Sequence, residues 1–289
     1  MKSDDIKIRN FKEKSTFNKI DDIPLYELFH RNSEINSLNA YNFSKGILRA
    51  ISDKEFINEC FNHKCLHEDK EVIKLPDPNS KLTTLNLFDV IFKRRSVRSF
   101  SNEPMTFEEL STILFYSSGM TGKYDKTDDK TYKCLFAYPS AGALMPLDSY
   151  ILINNVKDIN PGIYYYDPIK HVLKFIKGIE WNELPKITFS YNLSKQAAFV
   201  IYILGSMRLT GYKYGDRGYR FMLLEAGHLA QNIYLTSTGI GGGAVASGGF
   251  LDVEVLELLD LNDKDMFVLY EMIIGKPDLN IDYRFVSKK

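Results

Sequence analysis

Cysteine, tryptophan, net charge and long apolar runs are all scarce in this 289-residue chain, and each shortage excludes something. Three cysteines (Cys60, Cys65 and Cys134) are too few, and odd in number, for a disulfide framework. A reducing, cytoplasmic setting is the expectation. Lys plus Arg comes to 37 and Asp plus Glu to 37, so the formal charge is zero. Proteins that grip nucleic acid carry a basic excess, so no nucleic-acid partner is expected, although one local phosphate site is still allowed. The longest apolar run, AAFVIYIL at 197–204, falls far short of the ~20 residues of a membrane-spanning helix. No membrane span is expected, and the opening MKSDDIKIRN lacks the apolar core of a secretory signal.

What the chain does hold is aromatic: 18 Tyr and 19 Phe against a single Trp. A hydrophobic fraction of 44% and a charged fraction of 26% are those of a globular protein able to bury a core without staples. The length suits one large domain or two small ones. Residues 1–85 are rich in Asn, Lys and Asp, with helical patterns at 23–29 and 43–51, and Pro76 and Pro78 mark a turn-rich link. The expectation is an N-terminal helical extension over 1–85 and a main domain over 86–289.

Beyond the link, an amphipathic helix from about Leu85 runs into Lys93, Arg94 and Arg95. A second helix opens at Thr106 with Glu109 three positions on, the pattern of a capping box. Strands are predicted at 149–153, 162–166, 172–176, 197–205 and 267–274, with a loop at 239–249 and a short helix at 252–259. The longest helical period, 217–238, sets Tyr219, Met222, Leu223, Ala226, Ala230, Ile233 and Tyr234 on one side. Strands and helices in this order, with an apparent hairpin in the middle, indicate an α+β fold.

Five stretches could carry chemistry. Lys93-Arg94-Arg95-Ser96-Val97-Arg98 suits a phosphate, since guanidinium forks pair with its oxygens, but basic residues also suit any helix C-terminus. Pro139-Ser140-Ala141-Gly142 either lets a flat ligand approach the backbone or is a plain connecting turn. The glycines at 241–249 partly match a dinucleotide fingerprint, but they follow a helix and open none, which argues against a Rossmann site. Lys213-Tyr214 could act as an acid–base pair if held away from water, or could simply snorkel from a surface loop. Cys60, His63, Cys65 and His67 crowd the circumference of one predicted helix, so no metal site is expected. His228 is predicted to satisfy a buried hydrogen bond within its helix.

Taken in order, RRSVRSF, YPSAGALMPLDSYILI, PGIYYYD, KYGDRGYRFMLLEAGHLAQNIYL, the glycine run and IIGKP resemble the FMN-dependent nitroreductase superfamily, and in particular its SagB-type (ThcOx) azoline dehydrogenase branch. LYELFHRNSEIN resembles that branch's leader region more loosely. The resemblance implies a nitroreductase-like three-layer sandwich with a central, mainly antiparallel sheet, dimeric, with two FMN sites in the subunit interface. It further implies that Arg94, Arg95, Ser96 and Arg98 hold the FMN phosphate and ribityl chain. Pro139, Ser140 and Ala141 would line the ring, and Ser247, Gly248 and Gly249 would approach it with backbone amides. Lys276 and Arg284 would lie near the phosphate, and Lys213 and Tyr214 would be catalytic. Two departures stand out: Ala246-Ser247 where an apolar residue or Pro is usual, and Lys276 in place of a common Tyr. The implied function is oxidation of thiazoline or oxazoline rings in a ribosomally made precursor peptide, with a cyclodehydratase as partner. An NAD(P)H-dependent nitroreductase or quinone reductase, and a non-catalytic scaffold subunit, are the alternatives.

Overall fold

The computed structural model describes residues 25–61, 65–83, 85–125, 132–261 and 264–278. The chain divides into two compact units, residues 1–48 and 49–289. In the first, helix α1 (Leu25–Asn32) carries an Arg31–Glu27 ion pair of 2.7 Å one turn apart. The Asn36 side chain accepts from the amides of Leu38 and Asn39 and turns the chain into α2 (Ala40–Ser52). Both helices match the periods at 23–29 and 43–51. No residue of α1 is buried.

The second unit is built on a seven-stranded sheet. Its strands are β1 (Val72–Lys74), β4 (Leu147–Ile153), β5 (Gly162–Asp167), β6 (Val172–Lys177), β7 (Phe199–Ser206), β8 (Gly243–Ser247) and β9 (Met266–Gly275). Their order is β1-β6-β5-β4-β7-β9-β8, and every pairing is antiparallel. A separate hairpin joins β2 (Met120–Asp125) to β3 (Tyr132–Phe136). Besides the end of α2 and a single turn at Tyr191–Ser194, the helices described in this unit are α3 (Lys54–Phe61), α4 (Leu87–Lys93), α5 (Phe107–Ser118), α6 (Met207–Tyr214), α7 (Arg217–Gly239) and α8 (Asp252–Leu258).

The period-2 alternation of a strand, with both faces of the sheet covered, explains why the central strands are largely apolar. On β7, Phe199, Ile201 and Ile203 join the core beneath α5 and α7, whereas Val200, Tyr202 and Leu204 join the core on the opposite face, which includes Val255 of α8. The tyrosine triplet splits the same way: Tyr164 and Tyr166 face one core, Tyr165 the other. Helices and turns therefore cover both faces of one sheet, giving an α+β three-layer sandwich.

Burying tyrosines requires partners for their hydroxyls. Tyr164 donates to the Asn160 carbonyl at 2.8 Å, Tyr165 to Asp148 at 2.8 Å and Tyr202 to Glu271 at 2.9 Å. Tyr150 and His67 Nε2 share a 2.8 Å bond, as do Tyr166 and His171 Nδ1. Part of the aromatic excess is thus core that carries its own polar network.

Helix α5 begins as its sequence predicts. Thr106 Oγ1 accepts from the Glu109 amide at 3.1 Å, and Glu109 returns the bond to the Thr106 amide at 2.8 Å. Between α6 and α7 the backbones meet at Gly218, where an added Cβ would lie 2.8 Å from the Thr210 carbonyl oxygen. Only glycine allows that approach.

Three expectations need correction. The glycine run at 239–249 is not all loop, because β8 occupies Gly243–Ser247 and closes the sheet against β9. Its glycine suits close packing, since a Cβ at Gly243 would strike Val97 at 2.6 Å. His228 is exposed rather than buried. It shares the open face of α7 with Leu223 and Leu224, 42% and 60% exposed, so Leu223 is not part of the core stripe either. The hairpin β2–β3 was not foreseen.

Candidate active site

The motifs singled out from the sequence form two clusters, one toward each end of α7. At the first, Arg94 and Arg95 follow the end of α4, and Ser96 forms a parallel bridge with Ala244 of β8. The Val97 amide donates to the Ala244 carbonyl at 3.0 Å, which fixes the basic segment beside the glycine run. Tyr234 of α7 ties the pieces together. Its hydroxyl lies 3.2 Å from Ser96 Oγ and accepts from the Ala246 amide at 2.7 Å, while Arg94 sits 5.3 Å from its ring centre. Arg95 turns back to the Phe92 and Arg94 carbonyls at 2.9 and 2.6 Å. Arg98 is exposed, with a long 3.5 Å contact to the Ser96 carbonyl.

The glycine run continues from this cluster. Ser247 Oγ accepts from the Gly249 amide at 3.1 Å and from Ser190 Oγ at 2.6 Å. Thr188 braces the Gly249 carbonyl and the buried Glu271 carboxylate. Burial raises the Glu271 carboxyl above its ordinary range, against hydrogen bonds that favour the charge. Open space surrounds the position a Cβ would take on Gly248. Lys276 ion-pairs with Glu109, the capping residue of α5, so that carboxylate anchors both a helix start and the chain after β9. Arg284 lies outside the described residues.

The second cluster forms where α6 ends against the Pro139–Ala143 segment. Gly142 has φ +65°, and a Cβ there would fall 2.5 Å from Lys213 Nζ and 2.6 Å from the Tyr214 hydroxyl. The ammonium and the phenol therefore converge on one backbone turn. Lys213 Nζ also lies 5.1 Å from the centre of the Tyr214 ring. Both residues are half-buried and sit in the last turn of a helix, not in a loop. Pro139 is exposed, and Ser140 and Ala141 are half-buried. Ser140 Oγ accepts from the Met145 amide at 3.0 Å and so holds the turn closed.

Glu225 of α7 lies beneath this turn. It is 3% exposed, and its Oε1 accepts from the Ala141 amide at 2.8 Å. Burial pushes its carboxyl up to about 7, with the Ala141 amide and the nearby Ser140 hydroxyl acting the other way. Burial also raises the Tyr214 phenol, and the nearby Glu225 charge raises it further. Tyr138 is raised for the same two reasons, with Asp148 adding to them. Asp148 itself is pushed up to about 6 by burial, offset by the Tyr165 hydroxyl.

Nine residues separate Glu225 from Tyr234, about 14 Å along a helix and half a turn around it. The structure therefore brings Arg94, Ser96 and the glycine run together, and separately Ser140, Ala141, Lys213 and Tyr214, but on different sides of α7. Glu225 and Tyr234 were missed as site residues. A signal existed for Glu225: it is an acid at an apolar position of the helical period, between Met222 and Leu229. The cysteine–histidine stretch disperses, with Cys65 donating to Asp167 and His67 bonding Tyr150, while His63 lies outside the described residues. Among the described residues no group of His, Cys, Asp and Glu is placed to hold a metal, and no helix is long and apolar enough to cross a membrane.

This sheet, with a basic segment and a lysine–tyrosine turn at the two ends of one long helix, defines a class. The chain belongs to the nitroreductase family, whose model matches residues 91–276. A nitroreductase-like protein of Methanocaldococcus jannaschii is 35% identical over 202 residues, 70% of this chain and 96% of its own length. The microcin B17-processing protein McbC of Escherichia coli is 29% identical over 153 residues, 50% of this chain and 55% of McbC. The match to McbC thus spans about half of that relative, and it supports the SagB-type branch. A chain of the Escherichia coli microcin synthetase McbBCD complex, solved with truncated pro-MccB17 bound, has the same fold: TM-score 0.53, 21% identity, 90% of this chain and 100% of that one.

Proposed function

We propose that the protein is an FMN-dependent dehydrogenase that oxidises thiazoline or oxazoline rings of a ribosomally made precursor peptide to thiazoles or oxazoles. The observation that carries this reading is the convergence of Lys213 Nζ and the Tyr214 hydroxyl on Gly142, beside the turn expected to line a flat ring. The residues present fit FMN. Arg94, Arg95, Ser96 and Arg98 supply cations and a hydroxyl for its phosphate and ribityl chain. Ser247, Gly248 and Gly249 offer backbone with open space above Gly248, and Pro139, Ser140 and Ala141 would border the ring. By the family resemblance Lys276, here paired with Glu109, and Arg284 would serve the phosphate side.

When bound, FMN supplies the two-electron acceptor for a hydride leaving the ring β-carbon. The chain's own residues handle the proton: Lys213 as the neutral amine, or Tyr214 as the phenolate, would take it from the ring α-carbon. The substrate loses two hydrogens and becomes aromatic. The turn holds the ring in place, which contributes by orientation.

The two clusters on opposite sides of α7 support a homodimer in which each flavin takes its phosphate side from one subunit and its ring side from the partner. Exposed apolar residues are available for that contact, including Leu224 on α7 and Phe88 on α4, 60% and 80% exposed. The precursor peptide reaches the site through a complex with a cyclodehydratase; resemblance to McbC and to a chain of McbBCD supports this assembly. The setting is cytoplasmic.

The test is an anaerobic single turnover with an azoline peptide. Flavin absorbance should bleach as the peptide loses two hydrogens in mass, and Lys213→Ala should retain FMN while turnover falls at least ~100-fold, the usual weight of a general base. A fully active Lys213→Ala enzyme overturns the assignment. The near full-length match to a nitroreductase-like relative favours a second reading, an NAD(P)H-dependent nitroreductase. Rapid flavin reduction by NADPH without peptide would decide for it.

A further inference from the structure

We propose that Glu225 is a positioning residue for the Lys213–Tyr214 pair, with one carboxyl oxygen fixing the turn on which the pair converges and the buried carboxyl acting on Tyr214 across that turn. The proposal rests on the reading of Lys213 and Tyr214 as the acid–base pair.

Three observations meet at this side chain. Its Oε1 holds the Ala141 amide at 2.8 Å, one residue before the glycine that receives both reacting groups. Its Oε2 is buried and has no hydrogen-bond partner among the described residues. No salt bridge to Glu225 is seen among the described residues, unlike the buried Asp167, which pairs with Lys174 at 3.1 Å. A carboxyl kept only to brace a turn would be satisfied at both oxygens, or replaced by a glutamine, because burying an unpaired charge is costly. The cost is reduced here because burial raises the carboxyl to about 7, so that it shares its time between the neutral and charged forms near neutral pH.

The groups facing Glu225 are Ser140 and Ala141 from the turn, Tyr138 from the segment before it and Tyr214 from α6. Lys213 approaches the same turn, the Cys60 thiol of α3 also acts on Tyr214, and Asp148 acts on Tyr138 from β4. An ionised Glu225 repels a phenolate and keeps the Tyr214 proton on. When Glu225 takes up a proton below about pH 7, that repulsion vanishes and the phenol gives up its proton more readily. Glu225 would thus tune how firmly Tyr214 holds its proton without touching substrate itself.

The experiment is a pH titration of the full chain labelled with tyrosine-13Cζ, the Tyr214 signal being assigned by its loss in Tyr214→Phe. The Tyr214 signal should inflect near pH 7, keep that inflection in His228→Gln and lose it in Glu225→Gln. A wild-type signal flat through neutrality, or an inflection that survives Glu225→Gln or disappears in His228→Gln, overturns the proposal. Should Glu225→Gln not fold, glutamate-13Cδ labelling supplies the link: a carboxyl midpoint matching that of Tyr214 supports it, and differing midpoints refute it. No substrate is involved, so failure of the azoline reading shows in the turnover assay and failure of this coupling shows here.

Discussion

At Gly142 the backbone adopts φ +65°, a left-handed conformation that costs an L-residue about 1–2 kcal/mol. Any side chain there would also occupy the space of the Lys213 ammonium and the Tyr214 hydroxyl. Gly142→Ala is therefore expected to act twice: a Tm lowered by a few degrees, and turnover reduced at least ~10-fold through displacement of the pair. Steady-state kinetics on azoline peptide and a melting curve check this, and unchanged kcat would show that the pair is not confined by the turn. The sequence made Lys213, Tyr214, Ser140 and Ala141 legible because they sit in motifs whose order resembles one family. Glu225 was harder to see, because its role depends on which side of α7 meets the turn. His228, three residues away, was misjudged for the same reason.

Elements show where local chemistry decides and where it does not. Helix α5 was readable to the residue, since a threonine and a glutamate three apart satisfy each other's neighbouring amides without help from the rest of the chain. Replacing Thr106 by alanine is expected to cost about 1 kcal/mol, the usual weight of an N-cap, measurable as a shifted urea midpoint with an unchanged slope. The effect belongs to the helix alone, so FMN content should not change. Strand β8 was hidden for the opposite reason. Glycine and alanine have little strand propensity, and what makes Gly243–Ser247 a strand is the neighbouring edge of β9 together with close contact from Val97. The β2–β3 hairpin was also unreadable, with no tight-turn signal in the stretch that joins its strands.

For the whole molecule, the apolar faces left open on α4 and α7 carry the assembly prediction. These two helices bring Phe88, Ile91, Leu223 and Leu224 to the surface, all at least 42% exposed. In a homodimer with shared flavin sites, Phe88→Glu or Leu224→Glu should shift the protein to a monomer in analytical ultracentrifugation and lower its FMN content in parallel. A variant that turns monomeric yet keeps full flavin would separate the cofactor from the interface. At this scale the sequence conveyed the α+β class from alternating element types, whereas the strand order depended on pairings between segments far apart in the chain.

That strand order also governs how the chain is made. Strand β7 lies between β4, which precedes it by some fifty residues, and β9, which begins sixty residues after it ends. During synthesis β7 therefore waits with one apolar edge unpaired until β9 has left the ribosome. Chains stalled before Met266 would offer that edge to one another, and expression yield should depend on chaperone supply during this interval.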